Sequence, residues 1–485
     1  MKEKDKQQQQ QTKKNNNNNN NIVVDRKRQE QQLEQYKNIN SNNNDSNSNF
    51  IIILIVGVLC RIILYYNGFH HILSERNEIS TPITSFKRLT EGLYLNQLGL
   101  SPYSGSAFHQ PPLLLVLFKA FNDNSSFVLL RPQVLFLVIS ILSAILLRRI
   151  AVLVPRVLPK EMKQSISPNI VVAMFLFNPF SILSDVGMST IAVNNLVILC
   201  ALYFTLKGNL FLGVFSVAAA AYLSIYPIIL IVPVAFILYR HYQVAASTSV
   251  TVFVFKLSIL FLFSLVSLLY LSFCLFNSWE FINKCYGFTF LVEDLTPNIG
   301  KHRLFWYYFI EVFEHFRKFF LFIFQYNIFI YTIPLGIRLK NHPLFYFWIL
   351  CAIMATFKSY PALGDTALHI SLLPLLYETL KGVKYIFIIV VVGIYVTVLA
   401  PILWQMWIYQ GTGNANFYYT INLVFTLAQV LLMADALSVL LRLEYLDKFN
   451  EKHKQQDEKE IIKNNNNNND KQEKEKDDVK TLKQD

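Results

Sequence analysis

Cysteine and charge are both scarce in this chain. Five cysteines are spread over 485 residues with no CxxC spacing, and most lie inside apolar runs, which is typical of small buried hydrophobic residues. Charged residues make up 16% of the sequence against 53% apolar residues, and the mean hydropathy is +0.33. This balance excludes a water-soluble protein. The net charge of +12 is interpreted as a marker of membrane topology, so no nucleic-acid partner is expected.

Recognisable catalytic constellations are also missing. The nearest approaches to a nucleophile pair are Ser104 with His109 and Cys285 with His302, and neither has an orienting acid at a recognisable spacing. The segment 311–315 places two glutamates and a histidine on one helical face, but no second motif completes a metal site. We therefore expect no catalytic residue, no metal and no cofactor.

Long apolar segments make up most of the remaining chain. The hydrocarbon core of a bilayer is about 30 Å thick, and roughly 20 helical residues are needed to cross it. Twelve segments approach this length, although some are short or contain proline. They are Phe50–Tyr66 and the ranges 126–147, 169–184, 189–206, 210–225, 227–239, 247–276, 319–336, 343–358, 362–380, 384–408 and 417–441. We predict an all-α polytopic membrane protein with about twelve transmembrane helices.

Lysine and arginine fall in every second gap between these segments. The cationic gaps are 148–163, 207, 240–241, 338–340, 381–384 and 442–448. Short basic loops stay in the cytoplasm, because their translocation is disfavoured. The alternation predicts twelve crossings with both termini cytoplasmic.

The two ends of the chain differ in composition from the membrane domain at 50–445. Residues 1–49 form an Asn/Gln-rich head, and residues 446–485 form a charged, Asn-rich tail. Both have too little apolar surface to offset the entropy cost of folding, so both are expected to be disordered. No cleavable signal peptide is visible, and the first apolar segment is expected to remain as a signal anchor.

The long polar connection 67–125 is expected to be lumenal. Within it, the apolar residues of Thr84–Leu98 have helical spacing, which predicts a helix lying on the membrane surface. The sequence SPYSG then indicates a turn, and the short apolar helix Leu113–Phe121 that follows is too short to cross. The aromatic-rich segment 304–318 is a second candidate for an interfacial amphipathic helix.

Prolines interrupt several of the predicted spans. They are Pro179, Pro227, Pro361 and Pro401. Broken backbone persists at membrane depth only where protein or a wet cavity satisfies it, so we expect a cavity that opens on the lumenal side. Ionisable and amide side chains near this depth are its candidate lining residues. They are Asp185, Asn194, Asn195, Lys358, Asp365 and Asp435, and an ion pair between Lys358 and Asp365 is an alternative, structural role.

Two acidic residues, Glu75 and Glu78, follow the first span. A multi-span glycosyltransferase uses a carboxylate as general base, commonly with a second acid or a metal. No Asp-x-Asp pair stands beside these two, so solvated loop charges are the competing interpretation.

The connection before the last span combines aromatic and amide side chains, in the sequence WQMWIYQGTGNANFYYT at 404–420. An aromatic belt at headgroup depth packs well against sugar rings or acyl chains. Asn414 and Asn416 lie on the turn between the aromatic residues, and their amides both donate to and accept from sugar hydroxyls. The competing interpretation is an ordinary polar turn between two spans.

Several strings together resemble one known family. They are TEGLYLNQLGLSPYSGSAFHQPPLL, NPFSILSDVGMSTIAVNN, LTPNIG with LFWYYFIEVFEHF, QYNIFIYTIPLGIRLKNHP, FKSYPALGDTAL and LWQMWIYQGTGNANFYY. In this order, from about residue 50 to 445, they are similar to the PIG-U family of GPI transamidase subunits. The chain departs from the family at Lys301–Arg303, an apparent insertion after LTPNIG, and in its Asn/Gln-rich ends.

The resemblance implies a non-catalytic subunit in the endoplasmic reticulum membrane. The complex joins the new C-terminus of a precursor protein to the ethanolamine amine of a GPI lipid. Its nucleophilic cysteine is expected on a separate caspase-like subunit. The implied partners are the other transamidase subunits, the GPI glycolipid and membrane lipids, and the implied role is to hold the glycolipid and to scaffold the complex. The family's Asn pair in the turn before the last span is matched by Asn414 and Asn416.

The family also resembles multi-span, lipid-linked mannosyltransferases, whose first lumenal loop carries a similar SPY segment. The alternative function is therefore a dolichol-phosphate-dependent mannosyltransferase of the GPI pathway, with Glu75 or Glu78 as its base.

Overall fold

The computed structural model of the chain describes residues 47–121, 131–157, 166–245, 249–292 and 314–481. Every regular element in these ranges is helical, and one isolated antiparallel bridge joins Ser85 to Ser189. The predicted all-helical class is confirmed. The head before residue 47, the Lys301–Arg303 insertion and Glu311 lie outside the described residues.

The helices follow the predicted apolar segments closely. The first half contains α1 (Asn47–Tyr66), α2 (Phe69–Ser74), α3 (Phe86–Gln97), α4 (Pro112–Lys119), α5 (Pro132–Val157), α6 (Pro168–Leu176), α7 (Pro179–Val186), α8 (Ile191–Leu206), α9 (Leu210–Leu223) and α10 (Ile231–Ala245). The second half contains α11 (Val250–Phe276), α12 (Phe288–Leu291), α13 (Arg317–Ile330), α14 (Thr332–Leu339), α15 (Pro343–Phe357), α16 (Leu363–Leu372), α17 (Tyr377–Leu380), α18 (Ile386–Trp404) and α19 (Ala415–Thr481). Short 3₁₀ turns lie at Tyr226–Leu230, Glu314–Phe316 and Leu373–Leu376, and π-helical turns lie at Ile282–Gly287 and Gln405–Tyr409.

Length divides the apolar helices into two groups. Among the described residues, six helical stretches are long and apolar enough to cross a membrane, or seven if the bent pair α6 and α7 is one span. Four further apolar helical stretches have only 10–17 residues. A polytopic membrane protein is therefore confirmed, whereas twelve crossings and the likeness to glycosyltransferases stay predictions.

Proline explains two of the breaks between helices. Pro179 begins α7, and the direction of the chain changes by 53° between α6 and α7. Pro401 lies inside α18, and a π-helical turn follows it at Gln405–Tyr409. Proline has no N–H to donate and its ring clashes with the carbonyl four residues earlier, so a helix begins at a proline or bends around one.

The short apolar helices lie inside the bundle. Every residue from Pro343 to Thr356 of α15 is buried, and Trp348 Nε1 donates to the His369 carbonyl oxygen at 3.0 Å. A helix that is apolar on all sides is stable where other helices surround it. Because α15 is enclosed by protein, its length is set by its neighbours as much as by the bilayer.

The connections after alternate segments meet at one end of the bundle, here called the first-loop end because it carries residues 67–121. Thr190 N donates to Thr84 O at 2.8 Å, and Leu363 N donates to Glu78 O at 3.0 Å. His109 Nδ1 lies 2.9 Å from the Lys284 carbonyl oxygen. The connections after the first, third, seventh and ninth predicted segments are thereby joined.

The basic connections meet at the opposite end, here called the basic end. Arg240 Nη2 donates to Lys340 O at 3.1 Å, and Arg338 Nη1 lies 2.7 Å from Glu444 Oε2. Three of the cationic gaps, 240–241, 338–340 and 442–448, are thus in contact. The two sets of gaps occupy different ends of the molecule, as alternating charge predicts.

The predicted surface helix is present as α3, but its apolar side is covered by protein. Ser85 Oγ accepts from Arg88 N at 3.4 Å and caps the helix. Phe86 and Leu89 are buried, and the Phe86 ring packs against Phe118 of α4 at a centroid distance of 5.3 Å. The periodicity that predicted a membrane-facing helix therefore reports a contact within the protein.

The last helix extends beyond the predicted boundary at residue 445. The sequence predicts a disordered tail there, whereas helical backbone continues to Thr481. Lys and Glu, frequent in this stretch, favour helix. One helical pair is Lys448 with Glu444, at 2.8 Å and four residues apart. Local preference thus supports a helix whose side chains from Tyr445 to His453 are exposed.

Candidate functional site

A cavity of about 480 Å³ opens at the first-loop end, and we call it the Glu78 cavity. Its walls come from the connection after α1, from α7, from the start of α16, and from α18 and α19. Phe180, Leu363, Val396 and Phe425 contribute apolar surface. The volume lies in the range of small-molecule binding sites, which are mostly apolar with a few polar groups.

The connection after α1 is held in place by a sharp turn and by two anchors. Gly68 has φ of +74°, a left-handed conformation that glycine adopts without strain, and it reverses the chain after α1. The Glu78 carbonyl then accepts from Leu363 N at 3.0 Å. Tyr418 Oη donates to Glu78 Oε1 at 2.8 Å. Residues far apart in sequence are thereby joined at the cavity wall.

Glu78 is the charged residue buried most deeply in this wall. Only 8% of the residue is exposed, and its partner Tyr418 is fully buried beneath Trp404 and Trp407, with ring centroids 5.1 and 6.0 Å away. Within the described part of the chain, Glu78 has no ion-pair partner. The cavity therefore contains a carboxylate that a tyrosine hydroxyl stabilises and that no cation in the described ranges pairs with.

Glu75 and Arg76, the charged residues just before Glu78 in the sequence, are more accessible than Glu78. Glu75 also lines the cavity, but it is exposed and forms a surface ion pair with Lys87 at 3.3 Å. Arg76 lines the cavity and is half-buried, and its Nη2 lies 3.5 Å from the Pro401 carbonyl oxygen. The two glutamates that the sequence suggests as alternative bases therefore occupy unlike environments, one solvated and one enclosed.

The predicted amide pair lies beside this cavity and does not line it. Asn414 and Asn416 are both exposed and follow the π-helical turn Gln405–Tyr409. Gln405 and Tyr409, at the two ends of that π-helical turn, line the cavity. Asn414 Oδ1 accepts from Asn416 N at 2.9 Å, so Asn414 caps the start of α19. Asn414 therefore has a structural role as a helix cap, and glycolipid binding by the pair stays a prediction.

The Lys358–Asp365 ion pair is present. Lys358 Nζ lies 2.6 Å from the Asp365 carboxylate, whose Oδ2 also accepts from Ala362 N at 2.9 Å. Both residues border a space of only about 10 Å³, apart from the Glu78 cavity. The pair bridges the Pro361 break and fixes the loop that leads to Leu363.

Asp185 has a partner that the sequence reasoning missed. Arg61, in the middle of α1, places Nε 2.8 Å from Asp185 Oδ2, and none of its surface is exposed. Its other nitrogens donate to Gly57 O, Leu176 O and Ser181 Oγ at 2.9–3.0 Å. The signal was visible, because an arginine inside an apolar segment is costly unless it is paired.

Asp435 and Asn195 have structural partners. Asp435 Oδ2 accepts from Lys384 N at 2.7 Å and Tyr385 N at 3.0 Å, and so caps the start of α18. Asn195 Nδ2 donates to Gly364 O at 2.7 Å, and Asn194 is buried nearby. These residues lie away from the Glu78 cavity.

The nucleophile candidates of the sequence are not assembled. Ser104 Oγ donates to Ser101 O at 2.8 Å, whereas the His109 ring nitrogens lie 2.9 Å from the Ser106 and Lys284 carbonyl oxygens. Cys285 is buried with Sγ 3.8 Å from the Tyr103 hydroxyl, and burial raises the pKa of this thiol. A thiol held in its neutral form is a poor nucleophile. His302 lies outside the described residues.

Metal binding finds no support in the described residues. No group of three or more His, Cys, Asp or Glu side chains there is placed to hold an ion. The arrangement suits recognition of a ligand that is largely apolar and carries polar or charged groups at one end.

The fold and this site define a polytopic helical membrane protein with a polar-rimmed cavity at one end of its bundle. Within that class, the chain belongs to the PIG-U family, described as GPI transamidase subunit PIG-U, whose family model matches residues 55–425. The predicted resemblance is confirmed.

Individual relatives match over most of their length. The chain is 39% identical to the GPI-anchor transamidase component PIGU of Homo sapiens over 407 residues, which cover 80% of this chain and 93% of the relative. It is 32% identical to the GPI transamidase component GAB1 of Saccharomyces cerevisiae over 376 residues, covering 77% and 89%. It is 30% identical to the GPI transamidase component GAB1 homolog of Schizosaccharomyces pombe over 373 residues, covering 77% and 88%.

Proposed function

We propose that this protein is a non-catalytic subunit of a GPI transamidase, which holds the GPI lipid and scaffolds the other subunits. The observation that carries the proposal is the match to transamidase components along 93% of the human relative. The Glu78 cavity supports it, because apolar walls with a charged rim suit an amphipathic lipid.

Catalysis in this proposal resides on a separate, caspase-like subunit that supplies the nucleophilic cysteine. The burial of Cys285 and Cys351 in this chain is consistent with that division. The protein would reside in the endoplasmic reticulum membrane and cross it twelve times with both termini in the cytoplasm. The separation of the basic connections from those of the first-loop end supports this topology.

The proposed place for the glycan is the turn before α19. Asn414 and Asn416 are exposed at the same end as the Glu78 cavity, and amide side chains both donate to and accept from sugar hydroxyls. The cavity and the turn together would hold one ligand, with the lipid end against the apolar wall.

Co-purification tests the assignment to a complex. The tagged full-length chain, isolated in mild detergent from the cells that make it, is expected to bring a caspase-like protein in comparable amount. A tagged multi-span protein unrelated to this family, from the same membrane, serves as control. Recovery of the chain without any caspase-like protein would contradict the proposal.

The Asn pair predicts a loss of lipid handling without loss of assembly. Replacing both Asn414 and Asn416 with alanine should lower GPI attachment about tenfold, since two hydrogen bonds of about 0.5–1.5 kcal/mol each are removed. The measurement is GPI attachment to a reporter precursor in microsomes, with co-purification of the partner subunits as the assembly check.

A matched variant separates this role from helix capping. Asn414→Asp keeps the oxygen that accepts from Asn416 N but removes the amide donor. It should retain the stability of α19 and still lose attachment. If Asn414→Asp attaches GPI as well as the wild type while the double alanine variant does not, Asn414 acts only as a cap.

A further inference from the structure

Buried charges in the described part of the chain are compensated in every case but one. Arg61 pairs with Asp185, Lys358 pairs with Asp365, and Asp435 accepts two backbone N–H groups. Glu78 is as buried as Asp435, at 8% exposure, but it accepts from the Tyr418 hydroxyl and, among the described residues, has neither an ion-pair partner nor a place at a helix N-terminus such as Asp435 has. An enclosed carboxylate is expected to have a cationic partner, because desolvation of an uncompensated charge costs several kcal/mol.

The cavity also carries a cation, Arg76, for which the described residues supply no ion-pair partner. Arg76 lies two residues before Glu78 and lines the same space, but the two side chains do not form an ion pair with each other. Its nearest polar contact, the Pro401 carbonyl at 3.5 Å, is at the limit of a hydrogen bond. A guanidinium in such a position is suited to bind phosphate oxygens by two parallel hydrogen bonds.

Taken together, a carboxylate and a guanidinium in one cavity are complementary to a zwitterion. Gln405 and Tyr409 at the rim add neutral hydrogen-bonding groups, and Phe180 and Phe425 line the inner apolar wall. The volume of about 480 Å³ exceeds what a small headgroup fills, so it leaves room for the part of the ligand attached to the phosphate.

We propose that the Glu78 cavity binds a phosphoethanolamine group, with its ammonium on Glu78 and its phosphate on Arg76. The chemistry has two sources, the ethanolamine phosphate of a GPI glycan and the headgroup of phosphatidylethanolamine. Assignment to the glycan rests on the proposed function, whereas the recognition chemistry does not.

The test compares headgroups on the purified full-length chain with its co-purifying subunits, in detergent. The probes are phosphatidylethanolamine, its N-acetyl derivative, which has no ammonium, and phosphatidylcholine, which has a phosphate but no N–H donor. Binding is measured by native mass spectrometry in pairwise competition. The wild type is expected to prefer phosphatidylethanolamine about tenfold over both, since a hydrogen bond between two charged groups is stronger than one in which the donor is neutral or missing.

Two substitutions divide the site into its halves. Glu78→Gln should abolish the preference for the primary ammonium, and its amide oxygen still accepts from Tyr418, so the fold is retained. Arg76→Gln should weaken all three phosphodiesters about fivefold and leave their ratio unchanged. Glu280→Gln, at the same end but not in the cavity wall, is the matched control and should change nothing.

A third variant guards against misfolding as an explanation. Tyr418→Phe removes the hydrogen bond to Glu78 but leaves the carboxylate, so the headgroup preference should persist even if the protein becomes less stable. The proposal is overturned if the wild type shows no preference, or if Glu78→Gln keeps it while Tyr418→Phe loses it.

Competition by mannose 6-(2-aminoethyl phosphate) shows whether the phosphoethanolamine group that binds here comes from a GPI glycan or from a phospholipid. Displacement of phosphatidylethanolamine by this soluble fragment assigns the site to the glycan, and its failure to compete assigns the site to the bilayer phospholipid. Both outcomes retain the headgroup chemistry. The proposed function is judged separately by co-purification and GPI attachment, so either conclusion can fail without the other.

Discussion

Replacing Asp185 with leucine is expected to destabilise the protein by about 3–5 kcal/mol, because it leaves the guanidinium of Arg61 buried without its counter-charge. The three remaining acceptors of Arg61 are carbonyl and hydroxyl oxygens, which satisfy its hydrogen bonds but not its charge. The pair joins α1 to α7 at the bend between α6 and α7, so the loss should loosen that bend first. The measurement is the temperature at which the purified protein loses its monodisperse gel-filtration peak.

Two control variants accompany this experiment: one removes both charges of the buried pair, and the other breaks an ion pair on the surface. Arg61→Leu combined with Asp185→Leu should recover most of the lost stability, because removing both charges together is often neutral. Lys87→Ala breaks the exposed pair with Glu75, at 3.3 Å, and should cost no more than about 1 kcal/mol. If the double leucine variant is no more stable than Asp185→Leu alone, the side chains contribute packing rather than charge compensation.

The arrangement of helices was largely predictable, since a run of apolar residues is a local property. In the described residues each of the predicted segments coincides with helix, although α5 and α19 run ten or more residues past their predicted ends and several segments are divided into two or more helices. Three of the basic gaps are in contact with one another. Charge partners were less accessible, because they join positions distant in sequence. Lys358 and Asp365 are seven residues apart and were paired in advance, whereas Arg61 and Asp185 are separated by 124 residues.

The site shows the same division. Glu75 and Glu78 are indistinguishable by composition, and only the fold shows that Glu78 is enclosed by Tyr418 while Glu75 faces Lys87. The sequence points to Asn414 as a binding residue because of its amide and its place among aromatic residues. The structure adds a capping role, which the general preference for Asn at helix N-termini also predicts. A pattern of residue types thus located the region but not the role of each residue.

The first connection links these observations. Thr84, Glu78 and His109 lie within 32 positions, and each bonds to a connection distant in sequence. Because residues 67–111 hold the other connections together, the Glu78 cavity depends on the integrity of this end. The loop that carries Lys358, Asp365 and Leu363 bonds directly to this first connection, because Leu363 N donates to the Glu78 carbonyl. A change in either segment should therefore disturb the other.

Asp365→Ala is expected to be more damaging than Lys358→Met, although both break the same ion pair. Lys358 is 3% exposed at its side chain, and without Asp365 its ammonium loses the acceptor at 2.6 Å. Asp365 without Lys358 still accepts from Ala362 N at 2.9 Å. We expect a loss of about 3–5 kcal/mol for Asp365→Ala and a smaller loss for Lys358→Met.

The effect should extend to the Glu78 cavity, since the loop 358–365 delivers Leu363 N to the Glu78 carbonyl. Asp365→Asn is the matched variant, because its amide oxygen can still accept from Ala362 N while the charge is removed. The thermal midpoint and GPI attachment in microsomes are measured for all three variants. Stability should fall in the order Lys358→Met, Asp365→Asn, Asp365→Ala, and attachment should fall with it. Equal losses for Lys358→Met and Asp365→Ala would contradict the stated asymmetry, because they would mean that the carboxylate is as poorly compensated alone as the ammonium.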